Sequence, residues 1–131
     1  MPTPQQQAEA ELTAYGLSLP ETDLAPGWAD TRYMRVRGKG FAVFGEKAQA
    51  HDALTLTFKL PISYEMIQDL PFVRQGSLWY RQNKWAIAHF GPEDDILAEM
   101  DTLKGWMRQS YIAMAPKALG RLLTESGARG D

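Results

Sequence analysis

The sequence predicts an α+β domain, a two-layer sandwich in which a five-stranded antiparallel sheet carries helices packed on one face. Three observations predict it. Leu54, Leu56, Phe58 and Leu60 alternate with Thr55, Thr57 and Lys59, the period-2 pattern of a strand buried on one side. Before it comes a β-favouring stretch, residues 32–45, punctuated by glycines at hairpin spacing. After it, Ile96, Met100, Leu103, Met107, Tyr111 and Met114 recur every three or four residues, the stripe of an amphipathic helix long enough to cover a sheet. The chain's 131 residues suit one domain, read as residues 1–123, with a polar mobile tail at residues 124–131.

In chain order, Thr3 and Pro4 read as an N-cap followed by proline at the first helical position. Ala8, Leu12, Tyr15 and Leu19 follow at helical spacing, with Gly16 as a left-handed C-cap and Leu17 folding back on the last turn. Residues 20–31 are rich in Pro, Gly, Asp and Thr and read as a loop, with Trp28 tucked over the edge of the core. Residues 33–37 and 40–44 form a hairpin closed by Gly38-Lys39 in a type II′ turn. The unbroken apolar run Phe41 to Phe44 implies cover on both sides of that second strand.

Pro61 stops the central strand, and Ser63 caps a short helix over residues 64–70, with Ile62 and Ile67 as its hydrophobic staple. A second hairpin joins residues 76–81 to residues 84–90 through Gln82-Asn83. Pro92, Glu93, Asp94 and Asp95 open the long helix, their carboxylates by the positive end of its dipole, and Pro116 breaks it.

Composition excludes several function classes. With no cysteine there are no disulfides, no thiolate catalysis and no cysteine metal site. No apolar run reaches membrane-spanning length, and the N-terminus reads as carrying no secretory signal, so the expectation is a cytoplasmic protein with no membrane partner. His51 in a loop and His89 in a strand read as isolated residues rather than ligands or bases. No Walker A, GxGxxG, HExxH or nucleophile-elbow pattern occurs, so no catalytic residue, metal or cofactor is assigned, and an enzyme is the weaker reading.

Charge is segregated. Residues 1–31 hold five acids and no Lys or Arg, whereas residues 32–91 hold nine bases against four acids. Arg35, Arg37 and Lys39 surround the tip of the first hairpin, Arg81 and Lys84 that of the second, and Lys59 lies on the open face, with Tyr33, Trp79 and Trp85 as aromatic neighbours. Cations interleaved with rings neutralise phosphates and stack on bases or sugars; the same residues also line solvated sheet faces.

These residues belong to an ordered set: Leu19-Pro20-Glu21, Trp28, the hairpin from Arg35 to Ala42, Leu56 to Pro61, Trp85, Ser110-Tyr111 and Ala115-Pro116-Lys117. The set resembles the MmcQ/YjbR family of small bacterial proteins over roughly residues 8–123. That resemblance implies a compact fold similar to the type III secretion chaperones and frataxin-like proteins. It also implies binding of double-stranded DNA through two β-hairpin wings, which fall here at Arg37 and Lys39 and at Arg81 and Lys84. The alternatives are a protein-interaction module, such as a homodimer through the open sheet face, and a small-molecule binder with a pocket near Trp28 and Trp85.

Overall fold

The computed structural model describes the backbone of residues 2–46, 50 and 52–128, and side chains as far as residue 123. His51 lies outside the described residues. Within them the fold is α+β, with four helices, α1 (Pro4–Leu17), α2 (Leu78–Gln82), α3 (Met100–Met114) and α4 (Lys117–Ala128). The strands are β1 (Thr22–Pro26), β2 (Arg32–Val36), β3 (Lys39–Phe44), β4 (Leu54–Lys59), β5 (Val73–Arg74) and β6 (Trp85–Phe90). They form one six-stranded sheet in the order β1-β2-β3-β4-β6-β5, so the predicted count of five is one short.

The helix starts where the sequence places it. Thr3 Oγ1 accepts from the Gln6 amide at 3.1 Å and Gln6 Oε1 accepts from the Thr3 amide at 3.0 Å, a reciprocal capping box with Pro4 at the first turn. Ala8 and Leu12 are fully buried. Gly16 is not the C-cap, because the helix runs on to Leu17 and ends at Ser18 in right-handed geometry. Gly16 instead makes room for Met34, whose Cε would lie 2.8 Å from a Cβ added there. Leu17 is exposed rather than folded back.

The predicted loop at residues 20–31 contains the edge strand β1. It pairs with β2 from Thr22↔Val36 to Pro26↔Arg32. Asp, Ala and Pro are poor strand formers, so its composition conceals it; cross-strand partners override the propensity. Pro26 is tolerated because an edge strand leaves one row of amides unpaired. Trp28 points outward, 68% exposed, and covers no core.

The β2–β3 hairpin exists, but its two-residue loop is Arg37-Gly38, one residue earlier than predicted. Arg37 has φ of 47° and Gly38 φ of 83°, so the turn is type I′, whose twist matches that of the strands. Inside the hairpin the register jumps from Met34↔Ala42 to Arg35↔Gly40, leaving Phe41 as a bulged residue. The bulge explains the apolar run differently from two-sided cover. It rotates Phe41 so that Phe41, Ala42 and Phe44 are all buried, Phe41 meeting the Tyr111 ring edge-on at 5.4 Å.

Met34, Val36, Leu54, Leu56 and Phe58 face α1 and α3 as predicted. Thr55 on the opposite side is buried too, within 2.8 Å of His89 Nδ1. β6 pairs with β4, not with a hairpin partner formed by residues 76–81. That segment holds α2, a short helix with extended Ser77 before it and an Asn83 side chain donating to the Trp79 carbonyl at 2.9 Å. It lies beside Ile87, on the side of β6 away from Ala86 and Ala88, so the helices are not confined to one face. The staple at Ile62 does not form: Ile62 is exposed, and the predicted helix is a single 3₁₀ turn, Tyr64–Ile67, without a Ser63 side-chain cap.

α3 begins later than its acidic signal. Asp94 Oδ2 accepts from the Gly91 amide at 2.6 Å and closes a turn, a 3₁₀ turn covers Ile96–Glu99, and the α-helix starts at Met100. Its predicted stripe is the buried one: Met100, Leu103, Met107 and Tyr111, joined by Trp106 and Ser110. Ala115 is extended before Pro116, and α4 follows to Ala128, taking in residues 124–128 that the sequence assigns to the tail. No helix among the described residues is long and apolar enough to cross a membrane.

Ser110 ties these layers together. Its hydroxyl accepts from the Lys59 amide at 2.8 Å and donates to the Phe41 carbonyl, bridging β4 and β3 just beyond the last ladder pair, Ala42↔Phe58. Ser110→Ala leaves a buried donor and a buried acceptor without a partner, which costs about 1–3 kcal/mol. Urea denaturation of the variant should show that loss, and a change under about 0.5 kcal/mol would contradict the bridging role.

Candidate nucleic-acid interface

The antiparallel register gathers the basic candidates at one end of the sheet. Arg37 lies in the β2–β3 turn and Lys39 follows it, Lys59 ends β4, and Lys84 precedes β6, its carbonyl accepting from the Leu60 amide at 2.8 Å. Arg81 is in the last turn of α2. Arg35 lies two residues back along β2, opposite Gly40. The four strands β2, β3, β4 and β6 make this end about 14 Å wide at the usual ~4.8 Å spacing.

They share an end, not a face. Arg35 and Lys59 leave the open side with Trp85, the register partner of Lys59. Lys39 stands opposite the buried Val36 and therefore leaves toward the helix layer. Lys84 turns the same way, with its ammonium 5.4 Å from the centre of the Tyr64 ring and paired with Glu65. The cations thus form a rim around the sheet end. Arg81 and Lys84 are not the tip of a hairpin wing, because α2 occupies that position.

Half of these charges are already satisfied. Arg37 grips Glu21 through Nε and Nη2, both at 2.8 Å, and Arg35 grips Asp23 in the same way at 2.9 and 2.7 Å. Asp23 and Arg35 are direct cross-strand partners. Lys39, Lys59 and Arg81 have no carboxylate partner among the described residues. Lys59 Nζ lies 6.0 Å from the centroid of Trp85, at the outer reach of a cation–π contact. Six cations against the three carboxylates that pair with them leave the rim at +3.

The aromatic candidates separate. Trp85 is half-buried beneath Lys59 and belongs to the rim. Trp79 is 57% exposed on α2, edge-on to Tyr80 at 5.4 Å, next to exposed Leu78. Tyr33 lies near the opposite end of β2, paired with Val43 and Ala25, away from the basic cluster. The carboxylates Glu21 and Asp23 are the site residues that sequence reasoning missed. Their signal was alternation: acids at 21 and 23 complement arginines at 37 and 35 in an antiparallel register. Among the described residues no three His, Asp or Glu stand together as a metal-binding group.

Hydrogen bonds from Arg37 hold the Glu21 carboxyl below its ordinary pKa, and those from Arg35 do the same for Asp23. Burial pushes the Tyr111 phenol up, and the Glu21 charge adds to that. A depressed carboxyl pKa contributes stability that is present above the unfolded-state value and is lost as pH falls through the folded value. Carbon-13 NMR titration should therefore place Glu21 and Asp23 below free-peptide values, and Arg37→Gln and Arg35→Gln should each raise the corresponding midpoint. Midpoints that ignore those substitutions would show that the forks are not formed in solution.

No protein-family model matches this sequence, and no curated protein is significantly similar to it.

Proposed function

We propose that the hairpin end of the sheet binds the phosphate backbone of double-stranded DNA. The observation that carries this reading is the convergence of six cations from four chain segments on one rim at +3, in a chain whose net charge is −2. The resemblance to the MmcQ/YjbR family supports the same ligand and the corresponding fold. The site is one rim about 14 Å across, close to the ~12 Å width of the DNA major groove, rather than two separate wings. Lys39, Lys59 and Arg81 supply the phosphate contacts, and Trp85 offers a ring beside Lys59 for packing on sugar.

Three phosphate contacts give a log–log salt slope of about −2.7, or about a 40-fold loss of affinity between 50 and 200 mM salt. Engagement of all six cations would give about −5.4 and a loss of roughly 1,800-fold. Fluorescence anisotropy of a labelled 20-base-pair duplex should return the shallower slope, and Lys39→Ala/Lys59→Ala/Arg81→Ala should abolish it. Absence of binding at 50 mM salt would overturn the proposal.

A second reading has its own observation. Leu78 and Trp79, consecutive on α2, are 58% and 57% exposed beside the open face. Contiguous exposed apolar surface marks protein contacts, and here a homodimer would bury it. A flat DNA titration together with a sedimentation coefficient that rises with protein concentration would favour that reading.

A further inference from the structure

We infer that Glu21 and Asp23 are specificity-determining residues: they fill the guanidinium forks of Arg37 and Arg35 as built-in stand-ins for phosphate and keep both arginines out of the ligand-binding set. This inference rests on the DNA reading of the sheet end and adds the control of its valence.

The argument begins with fork geometry. An arginine presents Nε and one Nη as parallel donors that match the two oxygens of a carboxylate or a phosphate. In both arginines that edge is filled, by four bonds of 2.7–2.9 Å. The backbone sets the match. Asp23 and Arg35 are register partners, and the next step out brings Glu21 to Arg37, whose amide also donates to the Glu21 carbonyl at 3.3 Å. Glu21 is held there at φ of 59°, a left-handed conformation that a non-glycine residue adopts only when its surroundings impose it. The carboxylates are therefore tethered competitors, present at high effective concentration beside each fork.

A phosphate entering either fork must displace a tethered carboxylate and then lie beside its freed charge. That repulsion penalises unintended polyanions, a device by which sites discriminate among ligands of one sign. Lys39, Lys59 and Arg81 carry no such competitor among the described residues, so ligand binding falls to them.

The test compares the parent chain, Glu21→Gln/Asp23→Asn, and the same pair combined with Arg35→Gln/Arg37→Gln, each titrated with a 20-base-pair duplex from 50 to 200 mM salt. Circular dichroism melting of all three checks the fold. The inference predicts that the acid-only variant binds more tightly than the parent, with a slope steeper by about 1.8, a further ~12-fold loss across that salt range. The fourfold variant, which deletes two cancelled pairs, should return to the parent's affinity and slope. A parent that binds while the acid-only variant matches it would overturn the inference and leave the DNA reading standing. A parent that fails to bind while the acid-only variant binds with steep salt dependence would establish the screening and overturn the DNA reading for the natural chain. Failure of all three to bind would overturn both.

Discussion

One hydroxyl holds the two layers in register. The bulge at Phe41, in the ladder with β2, turns three of four successive apolar side chains of β3 toward the helices, and the ladder with β4 stops at Ala42↔Phe58, one position short of the Phe41 carbonyl and the Lys59 amide. Ser110 satisfies both. A buried polar pair without a partner is costly, so α3 has one favoured position along the sheet. The next residue extends the constraint. Tyr111 packs edge-on against Phe41 and donates its hydroxyl to the Pro20 carbonyl at 2.7 Å. Pro20 precedes Glu21, so the same contact anchors the entry to β1 and the carboxylate that meets Arg37.

Electrostatics follow from that anchoring. The acidic first segment does not stand apart from the basic sheet; it folds along it. Glu9 pairs with Arg32, Glu21 with Arg37 and Asp23 with Arg35, all joining the acidic N-terminal stretch to β2 or its turn. Each exposed pair contributes little to stability, because solvent screens the charges and holding two long side chains in place costs entropy. Their larger effect is on the surface potential, because they remove cations that composition alone would assign to a ligand. What remains is a smaller, more localised positive rim.

The sequence made the core legible and the edges obscure. Period-2 alternation in β4 and the three-to-four spacing of α3 named residues that are buried, because burial against a layer repeats with the geometry of the element. The start of α1 was legible in the local pair Thr3-Pro4, and the structure adds Gln6 as the reciprocal partner that completes a capping box. What failed depended on distant partners. β1 is a strand because β2 lies beside it, and α2 is a helix where the sequence reads as one arm of a second hairpin. The acidic run at 93–95 marked the approach to α3 but closed a turn before it. At the site, the placement of Arg35, Arg37, Lys39 and Lys59 at the first hairpin and the end of β4 was readable, whereas Arg81 and Lys84 sit in α2 and before β6 rather than at a second hairpin tip. The pairing of Arg35 and Arg37 was not readable without the β1–β2 register, and a one-residue slip in such a register exchanges the faces.

The most direct measurement is a map of amide chemical-shift changes in the nitrogen-15-labelled protein as a short DNA duplex is added at low salt. A ligand held by the rim should shift amides around the β2–β3 turn, at the end of β4 and at the junction of α2 with β6, while Tyr33 and the outer surface of α4 stay unchanged. Shifts centred on the far end of the sheet, or none under conditions where the protein remains folded, would contradict the placement of a phosphate-binding surface at the hairpin end.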